Sequence, residues 1–89
     1  MVLHESDIER SVRKGAIAED VFRRSNNAFM AMDVTRDLGL FDVKKLRSSE
    51  RRTYYRLRKG KYRAIFYVEN RNYYVVSIAK REEVYRQWE

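Results

Sequence analysis

The sequence contains no cysteine, no proline, one histidine, one tryptophan and three glycines. Without cysteine there is no disulfide framework and no thiolate to act as nucleophile or ligand. His4 has nothing nearby with which to build a zinc site, so neither a metal nor a cofactor is expected. No apolar run approaches the roughly 20 residues needed to cross a bilayer. Glu5, Asp7 and Glu9 are unlike the basic start of a secretory signal. Together these absences point to a cytoplasmic protein with no membrane association. No repeat and no linker interrupts the chain, so residues 1–89 are expected to form one domain. A domain of this size buries only about two-thirds of its unfolded surface, enough for one modest core and no deep cavity.

What is present is charge, unevenly placed. The chain carries 20 Lys and Arg against 13 Asp and Glu, a net of +7. Residues 1–43 have a net charge of −2, residues 44–63 a net of +9, and residues 64–89 a net of zero. The middle block holds Lys44, Lys45, Arg47, Arg51, Arg52, Arg56, Arg58, Lys59, Lys61 and Arg63 against Glu50 alone. Such a block repels itself unless it meets an anion, and ten cations against one acid exceed what solubility requires.

The hydrophobic period divides the chain. Residues 1–4 suit a short strand. Ser6 with Glu9 three residues later has the pattern of a capping box, and Ile8 and Val12 share a helical face. Gly15 breaks this helix. A second helix is expected over residues 16–37, with Ala18, Val21, Phe22, Ser25, Phe29 and Met32 as its buried stripe and Gly39 as its stop. The period then falls to two. Strands are expected over 41–46, 53–58, 62–68 and 73–79, with turns at 48–50, 59–61 and 69–72. A short helix over 80–89 places Val84 and Trp88 four apart. The expected class is α+β: an N-terminal helical hairpin packed on an antiparallel meander, closed by a short C-terminal helix. One sheet face must pack on the helix pair, which leaves the other partly open.

Alternation puts Tyr54, Arg56 and Arg58 on one face, and Arg63, Ile65 and Tyr67 on the matching face of the next strand if the hairpin through Gly60 pairs the two. Arginine presents a planar fork suited to phosphate oxygens. Tyr54, Tyr62, Tyr67, Tyr73, Tyr74 and Tyr85 interleave with these cations, a mixture that suits unstacked bases and phosphates of single-stranded RNA.

The run Tyr55-Arg56-Leu57-Arg58-Lys59-Gly60-Lys61-Tyr62-Arg63-Ala64-Ile65-Phe66 resembles the central signature of RelE/ParE toxins. The tail Ile78-Ala79-Lys80-Arg81-Glu82-Glu83-Val84-Tyr85 resembles that family's closing pattern, and Phe41-Asp42-Val43-Lys44-Lys45-Leu46 the strand before the signature. The resemblance is strong over 41–88 and weaker over 1–40. It implies a microbial-RNase-like α+β fold and, in the RelE branch, metal-independent cleavage of mRNA in the ribosomal A site by attack of the 2′-hydroxyl. Carried over by position, it makes Arg56 and Arg58 cleft residues and Arg63 the holder of the scissile phosphate. Arg81 falls near the leaving group, and Tyr85 orients the substrate. Lys44, Lys45, Arg47, Arg51, Arg52, Lys59 and Lys61 are expected to grip ribosome or RNA backbone. The implied partners are an acidic antitoxin, the ribosome and mRNA. Val84 and Trp88 on the last helix offer a docking surface.

One departure matters. The RelE branch has lysines where this chain has Arg56 and Arg58, and arginine is a poor proton acceptor. Tyr85, Lys59 or Lys61 is then left to act as base, while Glu82 and Glu83 read as capping residues and His4 as structural. A gyrase-inhibiting ParE-like role and a non-catalytic RNA- or ribosome-binding role are the alternatives.

Overall fold

The computed structural model describes residues 1–48 and 52–88, with side chains for 1–46 and 52–84. In chain order the elements are β1 (Val2–His4), α1 (Ser6–Arg13), α2 (Glu19–Thr35), β2 (Val43–Ser48), β3 (Thr53–Lys59), β4 (Tyr62–Glu69), β5 (Asn72–Lys80) and α3 (Arg81–Trp88). A single 3-10 turn, Leu38–Leu40, lies between α2 and β2. β2 to β5 make the expected antiparallel meander. β1 adds to the outer edge of β5 in parallel, with Val2 opposite Tyr73 and Leu3 opposite Tyr74. The sheet is therefore mixed, in the order β1-β5-β4-β3-β2.

The hairpins follow their turn residues. Between β3 and β4 the loop is Gly60-Lys61, with Gly60 at φ +61, the left-handed conformation that a two-residue hairpin needs at its first central position. Between β4 and β5 it is Asn70-Arg71, both at positive φ (+51 and +66), so an arginine occupies a place that glycine would fill without strain. The turn expected at 48–50 falls largely outside the described residues.

The helix ends differ from the sequence expectation. Ser6 is the first helical residue of α1 rather than its cap: Glu5 takes the cap position without a side-chain bond, and its carbonyl accepts from Ile8 N at 3.0 Å. α2 begins at Glu19 and ends at Thr35, because Arg36 adopts the left-handed conformation (φ +57) three residues before Gly39. Arg36 is held there by Asp33 (3.1 Å) and by the Arg71 carbonyl (2.9 Å), side-chain anchors that no local propensity reveals.

α1 and α2 cover one sheet face. Ile8, Ala28, Phe29 and Met32 pack against Leu57, Ala64, Phe66, Tyr73, Val75 and Ile78. Phe29 meets Phe66 edge-on at 4.9 Å. A bulge in β5 keeps this face continuous: Phe66 pairs with Val75, but Ile65 pairs with Ser77, so Val76 is the extra residue and Ile78 returns to the core. The opposite face is closed only in part. Ile65 and Val84, both buried but outside the main core, mark where α3 packs on β4 and β5. Among the described residues no helix is long and apolar enough to cross a membrane.

Candidate nucleic-acid interface

Strand register builds the site on the face that α3 only partly covers. Residues directly opposite in adjacent strands share a face. Arg58 pairs with Arg63, and Arg63 with Ala79; one step along, Lys44 pairs with Arg56, Arg56 with Ile65, and Ile65 with Ser77. Arg56, Arg58 and Arg63 therefore do lie on one face, in two neighbouring rows. Each has a different environment.

Arg58 is half-exposed and forms an ion pair from its Nε to Asp42, while its backbone N–H donates to the Asp42 carbonyl at 2.9 Å. Arg63 is 7 % exposed, and its Nη1 donates to the carbonyls of Gly60 and Tyr62, each at 2.9 Å. The guanidinium is thus anchored to the hairpin backbone rather than extended into solvent. It lines a shallow cleft of about 500 Å³ together with Lys61, Lys80, Arg81, Glu82, Tyr62 and Gly60. Arg81 opens α3, and its backbone N–H lies 3.4 Å from the Lys61 carbonyl. Four cations and one carboxylate around a small concavity give a positive local field that attracts phosphate.

Lys44 and Lys45 are exposed on the edge strand β2, and Lys59 and Lys61 flank the hairpin tip. Those two also rim a second cleft, of about 480 Å³, between that hairpin and α2, whose wall includes Ser25 and Val21. Among the described residues the Ser25 hydroxyl, buried there, finds no hydrogen-bond partner. Arg52 lies far from the arginine rows, at 3.7 Å from Glu69 and over the Tyr67 ring at 4.0 Å. Arg51 and the side chains of Arg47, Tyr85 and Trp88 fall outside the described residues, so their expected roles have no placement.

The tyrosines separate. Tyr73 turns into the core, where its hydroxyl donates to the Met32 carbonyl at 3.2 Å, so it is not part of an RNA surface. Tyr62 lies on the helix-covered side and lines both clefts. Tyr54, Tyr67 and Tyr74 stand on the same face as the arginines, at its other end. Burial raises the Tyr67 phenol above its usual value, so it stays neutral. Sequence reasoning missed Asp42, which pairs with Arg58 at the edge of the arginine rows. The signal was available: pairing of Val43 with Leu57 puts residue 42 opposite residue 58. Among the described residues no group of three or more His, Asp or Glu side chains converges as a metal site would require.

No family model matches the chain, and no curated protein does. Two solved structures do. One is the archaeal RelE–RelB complex from Pyrococcus horikoshii, with a TM-score of 0.69 over 90 % of this chain and 92 % of that one, at 20 % identity. The other is the RelB–RelE antitoxin–toxin complex from Methanococcus jannaschii, again with a TM-score of 0.69, over 94 % and 95 %, at 19 % identity. The fold is RelE-like. At these identities the likeness concerns the fold, and the chemistry has to be argued from the site.

Proposed function

We propose that this chain is the toxin of a type II toxin–antitoxin pair and that it cleaves mRNA in the ribosomal A site without a metal. The observation that carries the reading is the cleft shared by Arg63 and Arg81 with Lys61 and Lys80, flanked by Arg58 and Arg56 on the same sheet face of a RelE-like fold. The +9 block and the packed α+β core favour the toxin over its acidic partner.

In the proposed reaction a base takes the proton of the 2′-hydroxyl. The 2′-oxygen attacks the adjacent phosphorus, the bond to the 5′-oxygen breaks, and that oxygen takes a proton. A 2′,3′-cyclic phosphate and a 5′-hydroxyl result. Charge accumulates on the phosphorane oxygens, and fixed cations that are already in place stabilise it at little reorganisation cost. Arg63 and Arg81 serve this role, with Arg56 and Arg58 lining the approach, and Tyr85 orients the substrate. Asp42, with one oxygen on Arg58, is the carboxylate on this face assigned as base. Lys44, Lys45, Arg47, Arg51, Lys59 and Lys61 hold the ribosome or RNA backbone. An acidic antitoxin neutralises the same block, in the cytoplasm.

The test is to add the protein to a translating extract and map mRNA 5′ ends. Cuts within A-site codons, lost in Arg81→Ala, are expected. Arg81 is exposed, so the variant should fold. Intact mRNA with inhibited gyrase supercoiling would replace this reading with the ParE-like one. Ribosome binding without cutting or growth arrest would leave only a binding protein.

A further inference from the structure

About 13 Å from the Arg58–Arg63 row, four residues along β3 and β4, the same face carries a column of aromatic rings. Tyr67 and Tyr74 stack at 4.8 Å with their planes 11° apart. Tyr54 meets Tyr67 edge-on at 5.8 Å. The Arg52 guanidinium lies over Tyr67 at 4.0 Å, so Tyr67 is held between Arg52 and Tyr74. Leu3, on β1 directly opposite Tyr74, continues the row to the sheet edge. These rings stand away from the main core, and all three tyrosines are partly exposed.

We infer that the Arg52–Tyr67–Tyr74 column with Tyr54 is a base-stacking subsite for single-stranded RNA whose phosphates run toward the arginine end of the same face. The inference rests on the ribonuclease reading and extends it from the scissile phosphate to flanking nucleotides. Three observations favour RNA over another occupant. First, both ends of the column suit a base. At one end is the guanidinium plane of Arg52, whose side chain is 42 % exposed; at the other is the Tyr74 ring beside Leu3. Second, Glu69 lies within 3.7 Å of Arg52 and holds its charge over the ring, so the guanidinium acts here as a stacking plane as much as a phosphate ligand. Third, Lys44 and Arg56 occupy the row between the rings and the Arg58–Arg63 row, giving a cationic track between the two.

The test uses the full chain and short oligoadenylate RNA, followed by NMR of the tyrosine ring protons. Ring-current shifts at Tyr67 and Tyr74 are expected on binding. Tyr74→Leu should weaken binding by at least about fivefold, and Tyr74→Phe, which keeps the ring, should bind as the parent does. Four results overturn the inference: rings that stay still while RNA binds, a Leu variant that binds as tightly as the parent, abasic RNA that binds equally well, or an acidic peptide that shifts the rings as RNA does. The last would make this face a protein dock. The ring shifts require no variant, so a Leu substitution that fails to fold leaves the test intact. A-site cutting is read separately: its absence in the unmodified protein rejects the parent reading, whereas still rings with normal cutting reject only the subsite.

Discussion

Replacing Asp42 with asparagine separates stability from chemistry. The side chain pairs with Arg58, and both partners are about half exposed, 47 % for Asp42 and 57 % for Arg58. Solvent screens such a pair, and exposed pairs contribute about 0.2–1 kcal/mol. For a domain of this length that corresponds to a melting shift of about 1–8 °C. The amide keeps the shape and can still accept from Arg58. If Asp42 is the base, its loss lowers the rate by about a hundredfold to ten-thousandfold, equivalent to about 3–5 kcal/mol on the barrier. The rate effect therefore exceeds the stability effect several-fold, and one variant reads both.

The assay is single-turnover cleavage of a defined mRNA on stalled ribosomes with the protein in excess, measured across pH. Asp42→Asn should be slow at every pH at which the parent cuts. A rate within about threefold of the parent, below the smallest base effect, refutes the assignment. Tyr85→Phe, Lys59→Gln and Lys61→Gln in the same assay then show which of the other candidates takes the proton.

Four further outcomes are expected. Arg71→Gly should raise stability by up to about 1 kcal/mol by relieving a left-handed non-glycine residue, read as a shift in denaturant midpoint. Ser25→Ala should be neutral or stabilising by about 1 kcal/mol, because it removes a buried hydroxyl that has no partner among the described residues. His4 is half-buried against Phe22, and burial lowers its pKa below the usual 6.5 despite Glu9 nearby. The unfolded chain then binds more protons, so stability should be full above pH 6.5 and fall as pH drops through and below it, and His4→Phe should flatten that slope in urea titrations. Ribosome affinity should fall steeply with salt, and Lys44→Gln with Lys45→Gln should make the dependence shallower by about one unit of log–log slope for each phosphate no longer neutralised.

The period change after Gly39 is enough to read the meander, and alternation alone puts Arg56, Arg58 and Tyr54 on one face. The hairpin residues set the register, because a two-residue Gly60-Lys61 loop leaves Arg58 opposite Arg63 and no other residue. What stays hidden depends on side chains meeting across the chain. The end of α2 is set by Arg36 reaching Asp33 and Arg71, not by Gly39. The parallel pairing of β1 is non-local and carries no turn signal. The bulge at Val76 interrupts the alternation in β5, yet a run of Tyr73, Tyr74, Val75 and Val76 is apolar at every position and masks the slip. Interleaving with cations likewise assigns the tyrosines to an RNA surface as a group, whereas facing and burial send Tyr73 into the core.

The arginine that replaces the expected lysine at position 58 makes sense once its partner is known. A lysine at position 58 facing Asp42 would be a compact ammonium, well solvated and able to lose its proton. An arginine there stays charged at any working pH and can hold a carboxylate with one side of its fork while leaving donors for phosphate. In the proposed reaction, proton transfer and charge stabilisation would thereby be divided between two residues, Asp42 and Arg58, that strand register sets opposite each other. The division has a consequence for the cleft. Arg63 spends Nη1 on the hairpin carbonyls, which fixes its position but leaves fewer donors for substrate. In the proposed reaction Arg81, exposed at the start of α3, would then carry more of the developing charge than the buried Arg63 beside it. Neutralising Arg81 should therefore lower the cleavage rate with little effect on folding, whereas neutralising Arg63 should also lower stability by up to about 1–3 kcal/mol, leaving the two carbonyls without their donor.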